Sequence, residues 1–209
     1  IKNFKKTKLI VVNSSSDDNT KIAAVDALED SVLSRTRWDV VDSPVPGKTK
    51  AVNLGLSLIE SDLVMMMDTD AVSSPGWLKT CHEIFSDGRI GMACGMEVFP
   101  SNRLPSSSEL VYKKYSNNRR LSQSKKDSIL IVEGSMCCFR KKALGGSPLN
   151  EKFNADDFQL AILCSKNNYT CIMDRRLTFT ETNDLTKIGS YHRRVRRGRA
   201  KSSRRRRRR

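Results

Sequence analysis

The sequence predicts an α/β domain with a mostly parallel sheet flanked by helices. Three short, largely apolar runs at residues 8–12, 38–41 and 63–67 predict buried strands. Two stretches with apolar residues at helical spacing, 20–33 and 49–59, lie between these runs. Strands and helices that alternate in this way are typical of a parallel sheet covered on both faces.

The second half of the chain predicts further helices and strands. We expect three helices here: one that ends near residue 85, one that carries Tyr112 and Tyr115, and one over residues 158–165. The strands are expected over residues 90–98, 129–132, 136–139 and 169–173.

The composition fits one domain followed by a basic tail. Of 209 residues, 38% are hydrophobic and 29% are charged, which excludes disorder throughout. The net charge is +15, but residues 193–209 hold twelve positive charges and no acid, which leaves +3 for the rest. Blocks of like charge stay solvated. We therefore predict a domain over residues 1–198 and a disordered Arg-rich tail over residues 199–209.

The tail leaves an anionic membrane surface open as a partner, with which its positive charge is compatible. Nucleic acid is the weaker option, because the rest of the chain is nearly balanced in charge and an aromatic content of 6% supplies few platforms for base stacking. No run approaches the roughly 18 apolar residues of a membrane-spanning helix. Residues 1–6 also lack the apolar core of a signal peptide. We expect neither a membrane span nor a secretory leader.

The cysteines predict buried free thiols in a reducing compartment. None of the six forms a C-x-x-C pair, and two histidines are too few to complete a structural zinc site. Four of them lie among apolar residues, where a free cysteine behaves as a small hydrophobic side chain. These four are Cys137, Cys138, Cys164 and Cys171.

Polar residues at the ends of predicted strands indicate a ligand site. Residues 13–19 follow the first strand, and Asp68 and Asp70 follow the third. Ligands of parallel sheets gather at the carboxyl ends of the strands. Two carboxylates there suit Mg²⁺ or Mn²⁺, ions that bridge protein carboxylates and substrate phosphates. A solvated turn or a helix cap is the alternative interpretation of this pair.

Gly47 and Lys48 open the second predicted helix but do not form a P-loop. The glycine that a P-loop requires five positions before Gly47 is replaced by Asp42. Lys48 therefore predicts either a point charge near a phosphate or a solvated lysine at a helix start.

Taken in order, the motifs resemble those of a known enzyme family. The segments that carry the likeness are 12–20, 47–55, 68–70 with 77–78, 133–140, 156–160 and 192–198. They are similar to the V-D-D-G-S-x-D-x-T, G-K-x-x-A-x-N-x-G, D-x-D, acceptor-loop, E-D-x-x-L and Q-R-x-R-W-x-R-G segments of the inverting nucleotide-sugar glycosyltransferases of family 2. The resemblance implies a GT-A fold, which is Rossmann-like.

The resemblance also implies the chemistry and the residues that perform it. A sugar would pass from a UDP- or GDP-linked donor to an acceptor hydroxyl, with inversion. Asp68 and Asp70 would hold Mg²⁺ or Mn²⁺, and Arg193 and Arg194 would neutralise the leaving diphosphate. Asp157 would act as the general base. A double N-cap on the following helix is the alternative role for the aspartates at 156 and 157.

Donor and acceptor contacts follow from the same resemblance. Donor contacts are expected from Ser14, Lys48, Asp68, Arg193 and Arg194. Acceptor contacts are expected from Glu133, Gly134, Ser135 and Asp156. The acceptor is a glycan or a lipid of unknown identity, as in polysaccharide or glycolipid synthesis. The expected location is the cytoplasm, with peripheral attachment to the inner face of the cell membrane as an option.

The chain departs from the family pattern in three places. Asn13 and Ser14 replace two aspartates that contact the nucleotide, so the identity of the base stays open. Tyr191 and Val195 replace a glutamine and a tryptophan, which disfavours a processive polysaccharide synthase. The family's first strand and helix have no counterpart before Lys8, so we expect a domain that is incomplete at its N-terminus.

Two other functions stay open at this stage. The first is a basic module that binds nucleic acid or anionic lipid through the tail and residues 101–128. The second is a transferase remnant without activity.

Overall fold

The computed structural model describes residues 7–30, 37–100, 105–153 and 155–181. The described residues form seven strands, five α-helices and one 3₁₀ turn at Lys141–Leu144. In chain order the elements are β1 (Lys8–Asn13), α1 (Thr20–Glu29), β2 (Arg37–Asp42), α2 (Lys48–Leu58), β3 (Leu63–Met67), β4 (Ala71–Ser73), α3 (Trp77–Ile84), β5 (Ile90–Glu97), α4 (Ser107–Ser124), β6 (Met136–Arg140), α5 (Asp156–Lys166) and β7 (Thr170–Glu181).

The strands form two sheets. β1 and β2 pair in parallel, and the other five strands are arranged in the order β3, β6, β5, β7, β4. β5 and β7 are parallel, whereas the other three pairs of this sheet are antiparallel. The predicted α/β class is confirmed. The larger sheet is more mixed than the strand–helix alternation predicts, because β6 runs antiparallel to both of its neighbours and β4, which follows β3 without a helix, runs antiparallel to β7.

The five-stranded sheet is covered on both faces. Cys137 and Phe139 of β6 point to one face and pack with Leu160 and Cys164 of α5. The alternate residues of β6 point to the opposite face, where α3 supplies Trp77. Because successive side chains of a strand point to opposite faces, one apolar strand contributes to both layers of the core.

Residues 129–132 do not form the predicted strand. Ile129 and Val132 are buried, while Leu130 and Ile131 are exposed. The buried positions are thus three residues apart, a spacing that a strand with its period of two does not produce. The segment instead contacts α4, where Arg120 Nε donates a hydrogen bond to the Ile131 carbonyl at 3.0 Å.

The last strand is longer than predicted. β7 continues to Glu181. Residues 174–177 interrupt its pairing with β5, and the pairing resumes at Thr178. Arg176 binds the Asp174 carboxylate through its guanidinium group within this segment. Helix α1 ends at Glu29 with Asp30 as its C-cap, and residues 31–33 of its predicted range lie outside the described residues.

Candidate functional site

The strand directions bring five chain segments to one edge of the larger sheet. The carboxyl ends of β3, β5 and β7 lie at the same edge as the starts of β4 and β6, because the antiparallel strands run the other way. Asp68 follows β3, Glu97 and Glu181 end β5 and β7, Ala71 starts β4, and Ser135 precedes β6. Helices α2 and α5 also begin at this edge.

Lys48, at the start of α2, joins two of the predicted site residues. Its Nζ lies 2.9 Å from Asp68 Oδ1 and 3.6 Å from Asp156 Oδ2. Burial lowers the pKa of Lys48, but the hydrogen bond to Asp68 and the charges of Asp156 and Asp157 outweigh it and raise the pKa overall. Lys48 is therefore a fixed positive charge between carboxylates that belong to different elements.

Asp156 is the buried carboxylate of the site. It is 6% exposed, and its Oδ2 accepts no hydrogen bond within the described part of the chain. Burying a charged group is costly without a partner of opposite charge. The ammonium group of Lys48 is that partner.

Asp157 lies against the loop that precedes β6. A Cβ atom built on Gly134 would stand 2.9 Å from Asp157 Cβ and 3.0 Å from Asp157 Oδ2. A contact of that length is closer than real Cβ atoms make, so a larger residue at position 134 would force Asp157 or the loop to shift. Asp157 Oδ1 also accepts a hydrogen bond from the Phe158 N–H at 2.8 Å. Asp157 is half-buried.

The turn that carries Asp68 and Asp70 is hydrogen-bonded to the loop that precedes β6. The Asp68 N–H donates to the Ser135 carbonyl at 2.8 Å, and Ser135 Oγ donates to Glu181 Oε1 at 2.6 Å. The Ala71 N–H closes the turn by donating to the Asp68 carbonyl at 3.0 Å. The position of Asp68 therefore depends on Ser135 and, through it, on the end of β7.

Helix α2 holds the loop that leads into α5. Asn53 accepts from the Leu149 N–H at 2.8 Å and donates back to the Leu149 carbonyl at 2.9 Å. Thr49, which is 1% exposed, donates to the Phe153 carbonyl at 2.8 Å. These contacts fix the chain immediately before Asp156, so α2 positions both Lys48 and its buried partner.

Ser14 lies at the start of α2. Its Oγ accepts a hydrogen bond from the Gly47 N–H at 3.0 Å, and the neighbouring Ser15 donates to the Ser43 carbonyl at 2.7 Å. The loop after β1 and the loop before α2 are thus joined by side chains. Gly47 has a φ of 138°, a conformation that other residues rarely adopt.

Glu133 forms an ion pair with α4. Arg120 Nη1 lies 2.9 Å from Glu133 Oε2, and both side chains are largely buried. The Glu133 carboxylate, which we predicted to contact the acceptor, is therefore already paired with a guanidinium group. Glu133 directly precedes Gly134, the glycine that faces Asp157.

Within the part of the chain that the structure describes, no group of three or more His, Cys, Asp or Glu side chains could hold a metal ion. Arg193, Arg194 and the tail lie outside the described residues. No helix in the described ranges is long and apolar enough to cross a membrane.

Sequence reasoning missed four residues that hold the site. Asn53 and Thr49 lie within the 47–55 segment that carries part of the family resemblance, but nothing in that segment indicated a hydrogen bond to a loop about a hundred positions later. Glu181 and Arg120 had no signal at all: Glu181 accepts from Ser135, 46 positions away, and Arg120 binds Glu133, 13 positions away, and no motif links either pair.

Solved structures share this fold at low sequence identity. A mannosyltransferase from Pyrobaculum calidifontis, in complex with GDP-Man and Mn²⁺, matches with a TM-score of 0.71 and 20% identity, over 85% of this chain and 48% of that one. TarS from S. aureus, in complex with UDP-GlcNAc, matches with a TM-score of 0.60 and 14% identity, over 85% of this chain and 50% of that one.

A third solved structure shares the fold. Glucosyl-3-phosphoglycerate synthase from Mycobacterium tuberculosis, in complex with Mn²⁺, UDP-glucose and phosphoglyceric acid, matches with a TM-score of 0.56 and 18% identity, over 87% of this chain and 63% of that one. The chain thus spans about half to two-thirds of the length of these proteins. These likenesses confirm the predicted GT-A fold.

The fold is therefore that of the glycosyltransferases. The chain belongs to glycosyl transferase family 2, whose family model matches residues 2–146. The match includes Ser14, Lys48, Asp68 and Gly134 and ends before Asp156. No curated protein matches the chain.

Proposed function

We propose that this domain transfers a sugar from a nucleoside-diphosphate sugar to an acceptor hydroxyl, with inversion at the anomeric carbon. The observation that carries the proposal is the convergence of Lys48, Asp68 and the Asp156–Asp157 pair at one edge of the sheet. Family membership and the fold agree with it. The donor is linked to UDP or GDP, which are the nucleotides in the solved relatives.

The donor side of the site has the ligand types that a divalent ion needs. Asp68 and Asp70 supply carboxylate oxygens on one turn, and Mg²⁺ or Mn²⁺ characteristically completes its coordination with substrate phosphates and water. Two carboxylates therefore fit such an ion without a third protein ligand. When bound, the ion would neutralise charge on the leaving diphosphate. Arg193 and Arg194 are proposed to add to this neutralisation.

Lys48 is proposed to place its positive charge beside the diphosphate. Its Nζ already contacts Asp68, so a phosphate oxygen bound to the same turn would come within reach of the ammonium group. Ser14, which contacts the start of the same helix, is proposed to contact the nucleotide.

Asp157 is proposed to act as the general base. As the acceptor oxygen bonds to the anomeric carbon, the bond from that carbon to the diphosphate oxygen breaks on the opposite face. The hydroxyl proton passes to the Asp157 carboxylate. Half-burial beside Gly134 supports this role, whereas Asp156 is buried against Lys48. Acceptor contacts are proposed from Glu133, Gly134, Ser135 and Asp156.

Calorimetric titration with UDP and with GDP, each with and without Mn²⁺, tests the donor site. We expect metal-dependent binding of one nucleotide, which Asp70→Asn abolishes. Asp26→Asn, an exposed aspartate of α1, is the matched control and should leave binding unchanged. Absence of nucleotide binding by a folded sample would refute the proposal.

A further inference from the structure

Helix α4 has an inner face that packs against the sheet. Asn117 Nδ2 donates to the Glu97 carbonyl at 3.2 Å, and Ser124 Oγ accepts from the Met173 N–H at 2.8 Å. Leu121 is buried between them in the sequence. These three residues are spaced at helical intervals, so they define the side of the helix that faces β5 and β7.

The opposite side of α4 is apolar and exposed. Val111 is 69% exposed, Tyr112 61% and Tyr115 67%. Val111 and Tyr115 are four positions apart and Tyr112 and Tyr115 three, so the three side chains are grouped on one side of the helix. Grouped exposed apolar side chains of this kind mark interaction sites on folded proteins.

Exposed positive charge lies on this side, at Arg119, and on its flank, at Lys114. Residues 110–126 contain no aspartate or glutamate. Lys114, Arg119, Lys125 and Lys126 are exposed, and none forms an ion pair within the described ranges. The helix's remaining cations, Lys113 and Arg120, are instead neutralised by Glu97 and Glu133. We call the outward residues with the cations that flank them the α4 face: Val111, Tyr112, Lys114, Tyr115, Arg119, Lys125 and Lys126.

We propose that the α4 face docks on an anionic membrane surface, an inference independent of the proposed enzymatic function. A tyrosine presents an apolar ring and a polar tip, which suits the boundary between lipid headgroups and acyl chains. Lysine and arginine lay their methylene stems on apolar surface while their charges reach anionic headgroups. An interfacial helix combines these two features along its length. In α4 the helix is already formed and anchored, so docking orders little additional structure.

Two other occupants suit the α4 face less well. The α4 face offers two rings, Tyr112 and Tyr115, beside the aliphatic Val111, which is a small platform for base stacking and disfavours nucleic acid. A second copy of the chain would bring two clusters of positive charge together, which disfavours self-association through this face.

Vesicle binding by the full chain tests the proposal. Phosphatidylglycerol–phosphatidylcholine vesicles are compared with phosphatidylcholine vesicles, using wild type, Lys114→Glu/Arg119→Glu and the control pair Lys142→Glu/Lys166→Glu. Both pairs change the net charge equally, keep the arginine tail and alter exposed residues. We expect the α4 pair to weaken binding to the anionic vesicles at least tenfold relative to the control pair, since each cation contributes about fivefold.

Quenching of tryptophan fluorescence by brominated lipid shows which part of the bound protein enters the membrane, independently of affinity. Tyr115→Trp should be quenched by brominated phosphatidylcholine within the anionic vesicles, because its ring enters the interface. Ile22→Trp, at an equally exposed position on α1, should not be quenched beyond the wild-type background.

Five outcomes would overturn the inference. Equal weakening by both charge pairs would assign binding to net charge, and no weakening by either would assign it to the tail. Unquenched Tyr115→Trp in bound protein would exclude insertion of this face. Tighter binding of a single-stranded oligonucleotide, or a dimer that Tyr115→Ser dissociates, would replace the membrane by nucleic acid or by a second copy.

Discussion

Gly134 and Asp157 are in such close contact that a methyl group on the glycine would stand 2.9 Å from the aspartate Cβ. The two residues come from different elements, the loop before β6 and the first turn of α5. Their contact joins the proposed acceptor loop to the proposed base. Any side chain at position 134 must therefore displace one of them.

We expect Gly134→Ala to lower the free energy of unfolding by about 1–3 kcal/mol, the usual cost of overpacking. Chemical denaturation measures this change. Gly88→Ala is the control, because a Cβ at Gly88 meets nothing within 4 Å, and it should change stability by less than about 0.5 kcal/mol. Equal effects of the two substitutions would contradict the observed contact.

Replacing the proposed base should separate binding from turnover. We expect Asp157→Asn to keep nucleotide binding but to slow sugar transfer by about 100-fold or more, because general base catalysis contributes that much. Calorimetry and release of nucleoside diphosphate from the donor measure the two quantities. Asp156→Asn is the comparison: if it alone removed turnover while Asp157→Asn did not, the two roles would have to be exchanged.

Lys48→Met should destabilise the protein, because Asp156 then stays buried without a cation. The expected loss is about 1 kcal/mol, since half of the Lys48 side chain is exposed and solvent screens its charge. The pKa of Lys48 is raised, so its stabilisation is fully present below its ordinary value of 10.5 and is lost as the pH rises beyond that value. The difference between wild type and Lys48→Met should accordingly shrink above pH 10.5.

Denaturation curves across this pH range measure the effect. Lys50→Met, on the same helix, is the matched control because Lys50 forms no ion pair within the described residues. A pH-independent difference between Lys48→Met and wild type would show that packing, and not charge, is responsible.

Asn53→Ala should loosen the loop before α5. It removes both hydrogen bonds to Leu149, and we expect a loss of about 2 kcal/mol, near 1 kcal/mol for each bond. Ser57→Ala, whose hydroxyl bonds only to its own helix, should cost less than about 0.5 kcal/mol. Thermal or urea unfolding distinguishes the two. A similar small loss in both variants would mean that the loop is held by other contacts.

The thiols should be unreactive in the folded protein. All six cysteines are buried and free, as predicted for four of them. Burial raises the pKa of Cys94 to about 12, so its reactive thiolate is scarce at neutral pH. We expect a thiol-specific reagent at pH 8 to label none of the six until denaturant is added. Labelling of any cysteine without denaturant would contradict the observed burial.

Local patterns predicted the elements and the residues that meet at the sheet edge. Lys48 and Asp68 each stood next to a strand or helix boundary, and the structure brings them within 2.9 Å. The Ser135–Glu181 bond was not predictable, because it joins side chains 46 positions apart and neither residue is unusual in its own neighbourhood. Long-range side-chain bonds leave no periodic trace in a sequence.

The errors in the fold have similarly specific causes. The run at 129–132 is apolar because two of its residues enter the core, but the Arg120 side chain binds the carbonyl of Ile131 and the segment forms no ladder. The end of β7 was missed because the charged residues Asp174 and Arg176 interrupt its apolar alternation within the pairing irregularity.

The separation of the two sheets has a consequence for local opening. β1 pairs only with β2 among the described strands, and the smaller sheet meets the rest of the domain through α2 and through side chains such as Val12, which lies against Gly55. Breaking those contacts would leave the five-stranded ladder whole. Amide protons of Val11 and Val40 should therefore exchange with deuterium through a smaller, cheaper fluctuation than those of Ala93 and Cys94, whose exchange requires global unfolding.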